Sequence, residues 1–258
     1  MASSKDLGTE IRKDLILKHT ESKTPHIGSE FSCLDLLISL YFEVMTANDK
    51  FVLSKGHAAP ALYAVLNKKG LISKELYDSY GKNGTILAEH PSHGVAGVEV
   101  ATGSLGHGLP IAVGMAMAKK LNKNPGRVFV LLSDGEMQEG STMEAMNAAT
   151  RFNLDNLVAI IDSNKWQAYD RTADIVAMSK VEGEFAASGW SVTKINGHAE
   201  KEITNSLKNT PIKVGKPSLI VADTVLGKGV KMMEDNLDSH YKPPTPEQAK
   251  EYLTELDG

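Results

Sequence analysis

Asp134-Gly135 closes the apolar run Val128 to Leu132, and Asn164 follows a second run, Leu157 to Ile161. Two buried strands would deliver a carboxylate and a carboxamide to one edge of a sheet. A small hard cation such as Mg²⁺ takes oxygen ligands of this kind, and beside a diphosphate it uses only one or two protein carboxylates. Taken alone, an Asp-Gly pair is a turn after a strand.

Histidine is the second chemical signal. Of the eight present, His26, His57, His90 and His240 stand in distinctive segments: His26-Ile27-Gly28, Ser54-Lys55-Gly56-His57, Glu89-His90-Pro91 and Asp238-Ser239-His240-Tyr241. Imidazole titrates near neutrality and suits proton relay, although an isolated histidine is more often structural. His19, His93 and His198 read as surface positions. Gly103-Ser104-Leu105-Gly106-His107-Gly108 has the order G-x-x-G-x-G, not that of a dinucleotide loop, and no strong strand precedes it. Glu139 and Glu144 flank a helix start, where negative charge is favourable and solvated caps are the simple explanation.

The elements that must position these residues follow from periodicity. Helices are expected at Leu7 to Lys18, Cys33 to Val44, Ala59 to Asn67, Leu109 to Leu121, Thr142 to Arg151, Val181 to Ala187 and Glu200 to Lys208. Strands are expected at Phe51 to Leu53, Val128 to Leu132, Leu157 to Ile161, Ser191 to Ile195 and Ser218 to Ala222. Apolar strands alternating with helices predict an α/β fold: an open, mostly parallel sheet with helices on both faces. Ligands of such sheets bind beyond the carboxyl ends of the strands, where Asp134 and Asn164 fall. Asn122 to Gly126 reads as a loop. Thr245-Pro246-Glu247-Gln248 fits a capping box, so residues 1–258 read as one domain with a short helical extension at about 245–258.

Composition excludes several function classes. The 258 residues are 41% hydrophobic and 23% charged with a net charge of -4, which gives no footprint for nucleic acid or an anionic membrane. Cys33 is the single cysteine and has no partner for an internal disulfide. The N-terminus lacks an apolar targeting core and no run approaches a membrane span, so a cytoplasmic location is expected.

Together and in this order, the Asp134/Asn164 pair with 28 residues between Gly135 and Asn164, the Ser54-Lys55-Gly56-His57 segment, Glu89-His90-Pro91, Val98 to Gly108 and Glu136 to Gly140 resemble the N-terminal half of a transketolase. The resemblance runs from the His26 segment to His240. It implies a thiamine diphosphate-binding fold of the diphosphate-binding (PP) type, with Mg²⁺ held by Asp134, Asn164 and the main-chain carbonyl of Trp166. It implies that Gly135 lets a backbone N–H approach the diphosphate, and that His57 and His240 reach the diphosphate or the adjacent substrate. His26 and His90 would face the reactive carbon and the sugar hydroxyls, while Gly103 and Leu105 would lie against the aminopyrimidine. Glu139 and Glu144 would join a carboxylate network reaching toward the glutamate that activates the cofactor.

That activating glutamate belongs to a second, pyrimidine-binding domain in transketolases, which this chain does not reach. The expectation is therefore the N-terminal subunit of a split transketolase, a transferase of carbohydrate metabolism that is active only with a C-terminal, pyrimidine-domain subunit. The pair would form a heterotetramer of two plus two chains. It would move a two-carbon ketol unit from a ketose, as a phosphate or modified sugar, to an aldehyde. Alternatives are the α subunit of a 2-oxo acid dehydrogenase, another oxo-acid-dependent thiamine enzyme, or a non-catalytic binding subunit. Against the usual pattern, Ser133 replaces the first glycine of Gly-Asp-Gly. Thr24-Pro25 replaces Ser-Gly, Glu30-Phe31 is unusual, and both changes are expected to line the substrate entrance.

Overall fold

The computed structural model describes residues 4–258; residues 1–3 of the N-terminal segment read for targeting lie outside it. Helices α1 (Ser4–Ser22) and α2 (Ile27–Ser39) precede strand β1 (Lys50–Leu53). Helices α3 (Ala59–Lys68) and α4 (Lys74–Asp78) follow, and an irregular stretch leads to α5 (Gly108–Leu121) and β2 (Val128–Ser133). Next come α6 (Gly140–Arg151), β3 (Leu157–Ser163), α7 (Thr172–Ile175), α8 (Met178–Ser188), β4 (Ser191–Asn196) and α9 (Glu200–Lys208). The chain closes with β5 (Ser218–Asp223), α10 (Asp238–Tyr241) and α11 (Pro246–Asp257).

All five strands pair in parallel, in the order β1-β2-β3-β5-β4. Successive strand residues face opposite sides of a sheet, so an apolar run with no alternation requires a core on each side. Both cores are present. Phe51, Phe129, Leu131, Val158 and Ile160 pack with Leu15, Leu34, Leu62, Ile203 and Tyr252 from α1, α2, α3, α9 and α11. Val52, Val130, Leu132, Ala159 and Ile161 pack with Leu109, Ala145 and Phe185 from α5, α6 and α8. Each fully buried Val, Leu or Phe contributes roughly 1.5–3 kcal/mol. The expected α/β sheet covered on both faces is the fold observed.

The expected helices and strands all form, with one substantial difference in boundary. The second helix begins at Ile27, not Cys33, and ends in a π turn over Leu40–Val44. Its first turns carry Gly28, Ser29, Glu30 and Ser32, which interrupt the apolar pattern but are all buried. Gly28 is required there, since a Cβ would lie 2.2 Å from Ser239 Oγ. The short helices α4, α7 and α10 have no sequence signature, because four or five residues are too few to show a 3.6 period. The capping box of α11 is formed: Thr245 Oγ1 accepts from the Gln248 N–H at 3.2 Å, and Gln248 Oε1 accepts from the Thr245 N–H at 3.0 Å. Cys33 is buried in α2, and burial pushes its thiol up to about 12. Among the described residues no helix is long and apolar enough to cross a membrane.

Candidate functional site

A cavity of ≈ 460 Å³ opens at the carboxyl ends of the strands. β1 runs into Ser54-Lys55-Gly56-His57, β2 into Asp134-Gly135 and β3 into Asn164, while the start of α2 brings His26. Ser133 lies opposite Asp162 in the parallel register, so Asp134 and Asn164 leave neighbouring strands at nearly the same level. His26, His57, His90 and His240 line the cavity together with Gly103, Leu105, Asp134, Gly135, Glu139, Asn164 and Trp166. Of the residues expected to hold the cofactor or its metal or to act in catalysis, only Glu144 is elsewhere. It is exposed on α6 and borders a groove with His107, Ile111 and Ala145.

The acidic corner fits a cation and a diphosphate. Asp134 is 2% exposed, and its carboxylate accepts from Thr172 Oγ1 at 2.6 Å and from the Gly135 N–H at 3.0 Å. Burial raises it to about 7, since these two hydrogen bonds only partly offset desolvation. Asn164 is buried beside it, its Oδ1 accepting from the Trp166 N–H at 3.0 Å. A Cβ on Gly135 would meet nothing closer than Gln167 at 3.8 Å, so packing within the chain does not demand the glycine. A ligand approaching the Gly135 N–H would use that room. Among the described residues no three His, Cys, Asp or Glu side chains form a metal cluster by themselves. A hard cation that completes its shell with ligand oxygens and water suits this donor set.

Three histidines cluster in the same cavity. Ring centroids lie 5.4 Å apart for His26 and His57, 5.0 Å for His26 and His240, and 5.7 Å for His57 and His240. Burial lowers His26 to about 4, with His240 and His90 adding to the effect. Burial, with Lys55 nearby, takes His240 to about 4, and His57 falls well below its ordinary value for the same reasons. All three are neutral at neutral pH and can both donate and accept hydrogen bonds. The His26 N–H donates to the His240 carbonyl at 2.9 Å, and Ser29 Oγ contacts His240 Nδ1 at 3.0 Å. His90 forms another wall, its carbonyl accepting from Tyr63 OH at 3.0 Å.

Several residues that build the site were not singled out from sequence. Lys55 is fully buried, and its ammonium bonds Asp162 and, at 2.9 Å, the Ser29 carbonyl. Burial opposes the Lys55 charge, but Asp162 outweighs this and holds the lysine above its ordinary value. Asp162 also accepts from Ser32 at 2.6 Å and from Thr224. An aspartate inside an otherwise apolar strand was the available signal. Glu136 is likewise buried, accepting from Ser54 Oγ, from the Gly106 N–H at 3.0 Å and from the Ser133 N–H at 2.9 Å. The Ser133 hydroxyl also reaches the Glu136 carboxylate, at 3.5 Å, in the capping box after β2, a contact that the glycine of Gly-Asp-Gly could not make. Outside the cavity, Arg171 stacks on the Trp166 ring at 3.8 Å and pairs with Asp235.

Three expectations are corrected. His19 is not a surface residue: it is fully buried against Glu30, because the helical face that carries it packs under the start of α2. His198 is partly buried, contacting Asp35 at 2.8 Å and accepting from the Val225 N–H at 2.9 Å. Thr24, Glu30 and Phe31 do not line the cavity but are buried behind it. His93 is exposed, as expected.

Comparison with known proteins agrees with this architecture. The family model for "Transketolase, thiamine diphosphate binding domain" matches residues 23–256. The chain is 41% identical over 254 residues to an apulose-4-phosphate transketolase subunit of Phocaeicola vulgatus, covering 95% of this chain and 90% of that protein. It is 37% identical over 242 residues to the 6-deoxy-6-sulfo-D-fructose transketolase subunit SqwG of a Clostridium species, covering 90% of this chain and 88% of that protein. The transketolase of Leishmania mexicana superposes on the whole chain with a TM-score of 0.90 and 25% identity, and the chain spans 42% of that protein. Parallel sheet, strand-end Asp134 and Asn164, and match over residues 23–256 together mean that this chain belongs to the transketolase family as its thiamine diphosphate-binding domain.

Proposed function

We propose that the chain is the N-terminal subunit of a two-component transketolase and that, with a pyrimidine-domain partner, it transfers a two-carbon ketol unit from a ketose to an aldehyde. The observation that carries this reading is one cavity lined both by Asp134 and Asn164 and by the His26, His57 and His240 cluster. Thiamine diphosphate supplies the carbanion chemistry that protein side chains lack. In this reading Asp134, Asn164 and the Trp166 carbonyl hold Mg²⁺, and the Gly135 N–H meets the diphosphate. Gly103 and Leu105 support the pyrimidine side. His26, His57, His90 and His240 orient sugar hydroxyls and relay protons, and neutral imidazoles can do so without repelling one another. Glu139, at the cavity rim, and Glu144, on the outer groove, extend toward neighbouring subunits.

Partner dependence is supported by the names of the two relatives, both of which are subunits. The groove between α5 and α6, lined by Pro110, Ile111, Val113, Ala145 and Ala148, is an apolar surface suited to association, and we read the assembly as two copies of each chain. Among the described residues no lysine or arginine lines the cavity, so a phosphate or sulfonate on the sugar would be met by the partner. Residues 1–258 act as one domain in this reading, in the cytoplasm.

The test is calorimetric titration of thiamine diphosphate with Mg²⁺ into the chain mixed with a pyrimidine-domain partner. Tight binding by the mixture and its loss in Asp134→Ala are expected. A folded complex that binds no cofactor would overturn the reading. A donor screen of ketose phosphates and sulfo-ketoses then identifies the sugar.

A further inference from the structure

His26 is reached through a turn in which Lys23 (φ 57) and His26 (φ 78) are both left-handed. Residues with a Cβ hold that conformation only where their surroundings enforce it. The surroundings here are His19, near the end of α1, and Glu30, in the first turn of α2, both 0% exposed. His19 Nδ1 lies 2.8 Å from the Thr24 carbonyl oxygen, and since a carbonyl only accepts, Nδ1 carries a proton. On the other side of the ring Nε2 lies 2.9 Å from Glu30 Oε1, a fully buried charge contact set off the line of a hydrogen bond. The Glu30 N–H in turn donates to the His26 carbonyl at 3.2 Å. Glu30 therefore grips the turn at both ends, by its main chain at His26 and through His19 at Thr24. Ser22 Oγ, at 2.8 Å, and Tyr80 OH, at 3.2 Å, contact the Thr24 hydroxyl, which also lies 3.0 Å from His19 Nδ1, so the His19 ring meets Thr24 at both its carbonyl and its hydroxyl.

From this geometry we infer that the buried His19–Glu30 couple is a positioning device, fixing the turn that aims the His26 imidazole at His57 and His240 and so at the donor sugar. The statement about the sugar rests on the role proposed for His26 above; the positioning does not. Two apolar side chains of similar volume would fill the same space without desolvating a charge, so packing alone does not call for the couple.

The experiment is histidine-labelled NMR of the full chain. The His26 ring lies 5.4 Å from that of His57 and 5.0 Å from that of His240, and ring–ring NOEs report this placement; its titration does not, because the His19 charge itself lowers it. Glu30→Gln keeps a polar partner beside His19 Nε2 and is expected to leave those NOEs unchanged. The double variant His19→Phe with Glu30→Met removes the link without stranding a buried charge, and in it the NOEs from the His26 ring to His57 and His240 are expected to be lost. A folded double variant in which His26 does not move overturns the inference. In the wild-type chain the His19 Nδ1 proton must be protected from exchange and coupled to the Thr24 carbonyl, and its absence overturns the inference even if the double variant does not fold. In the reconstituted complex the double variant is expected to lower kcat/KM for the ketose about tenfold, through a rise in KM and, since His26 also relays protons in that reading, a fall in kcat. A displaced His26 with unchanged kcat/KM upholds the positioning and removes only the role at the sugar.

Discussion

His26 and His240 share a physical predicament: each is a partly buried imidazole beside other basic groups. Their folded-state values of about 4 lie below the ordinary 6.5, so between those limits the unfolded chain takes up protons that the folded chain refuses. Stability from this source is present above about 6.5 and is lost as pH falls toward 4, levelling below that. Asp134, raised by burial to about 7, contributes with the opposite sign, so the informative comparison is between wild type and variant. Thermal unfolding of the cofactor-free chain from pH 7.5 to 4.5 should show a shallower acid decline in a His26→Gln, His240→Gln double variant. Parallel declines would mean that both rings are hydrated in solution. The four site histidines were legible through their neighbours in sequence, whereas His19 was not. Whether an isolated histidine is buried depends on what packs over it, here the unexpected first turns of α2.

At the scale of elements, the capping chemistry of α11 is local and was readable residue by residue. Thr245→Ala removes the hydroxyl that accepts from Gln248 and should cost about 1 kcal/mol, read as a lower urea midpoint at unchanged m-value. No change would mean that packing of Ala249 and Tyr252 against the core already holds the helix in place. The turn after β2 is capped in the same way, Ser133 to Glu136, but its partners Ser54 and Gly106 come from distant segments. That half of the arrangement has no local signature. Glycine-rich residues 103–108 could be recognised as a turn, yet the Glu136 carboxylate that fixes it belongs to the segment after β2 and reaches Gly106 and Ser54 together only once β1 and β2 are adjacent.

Over the whole molecule, Lys55 and Asp162 hold the sheet's working edge together. The pair and its neighbours join the end of β1, the end of β3, the start of α2 through Ser29 and Ser32, and Thr224 beyond β5. Lys55→Met strands the Asp162 charge among Ser32, Thr224 and Asn164, and should cost about 3–5 kcal/mol by urea unfolding. A loss below about 1 kcal/mol would show that Asp162 is readily neutralised or hydrated. The continuous network also explains why an aspartate is tolerated in a strand otherwise apolar on both faces: its lone pairs are filled by donors from separate segments of the chain.

What the sequence by itself determined was whatever depends on neighbours in the chain: the strands and helices with clear periods, the α11 cap, and the Asp134/Asn164 and histidine segments that carried the family resemblance. Apolar runs without alternation could only be strands covered on two sides, which settled the fold class before any contact was known. Tertiary structure alone decided that Lys55 meets Asp162, that Glu136 reaches Gly106, that Glu144 stands outside the cavity and that Glu30 lies behind it. The reason is that burial of a charge is never a property of its own segment. It depends on compensating groups brought from elsewhere, and these are assembled only when the helices close over the ends of the sheet.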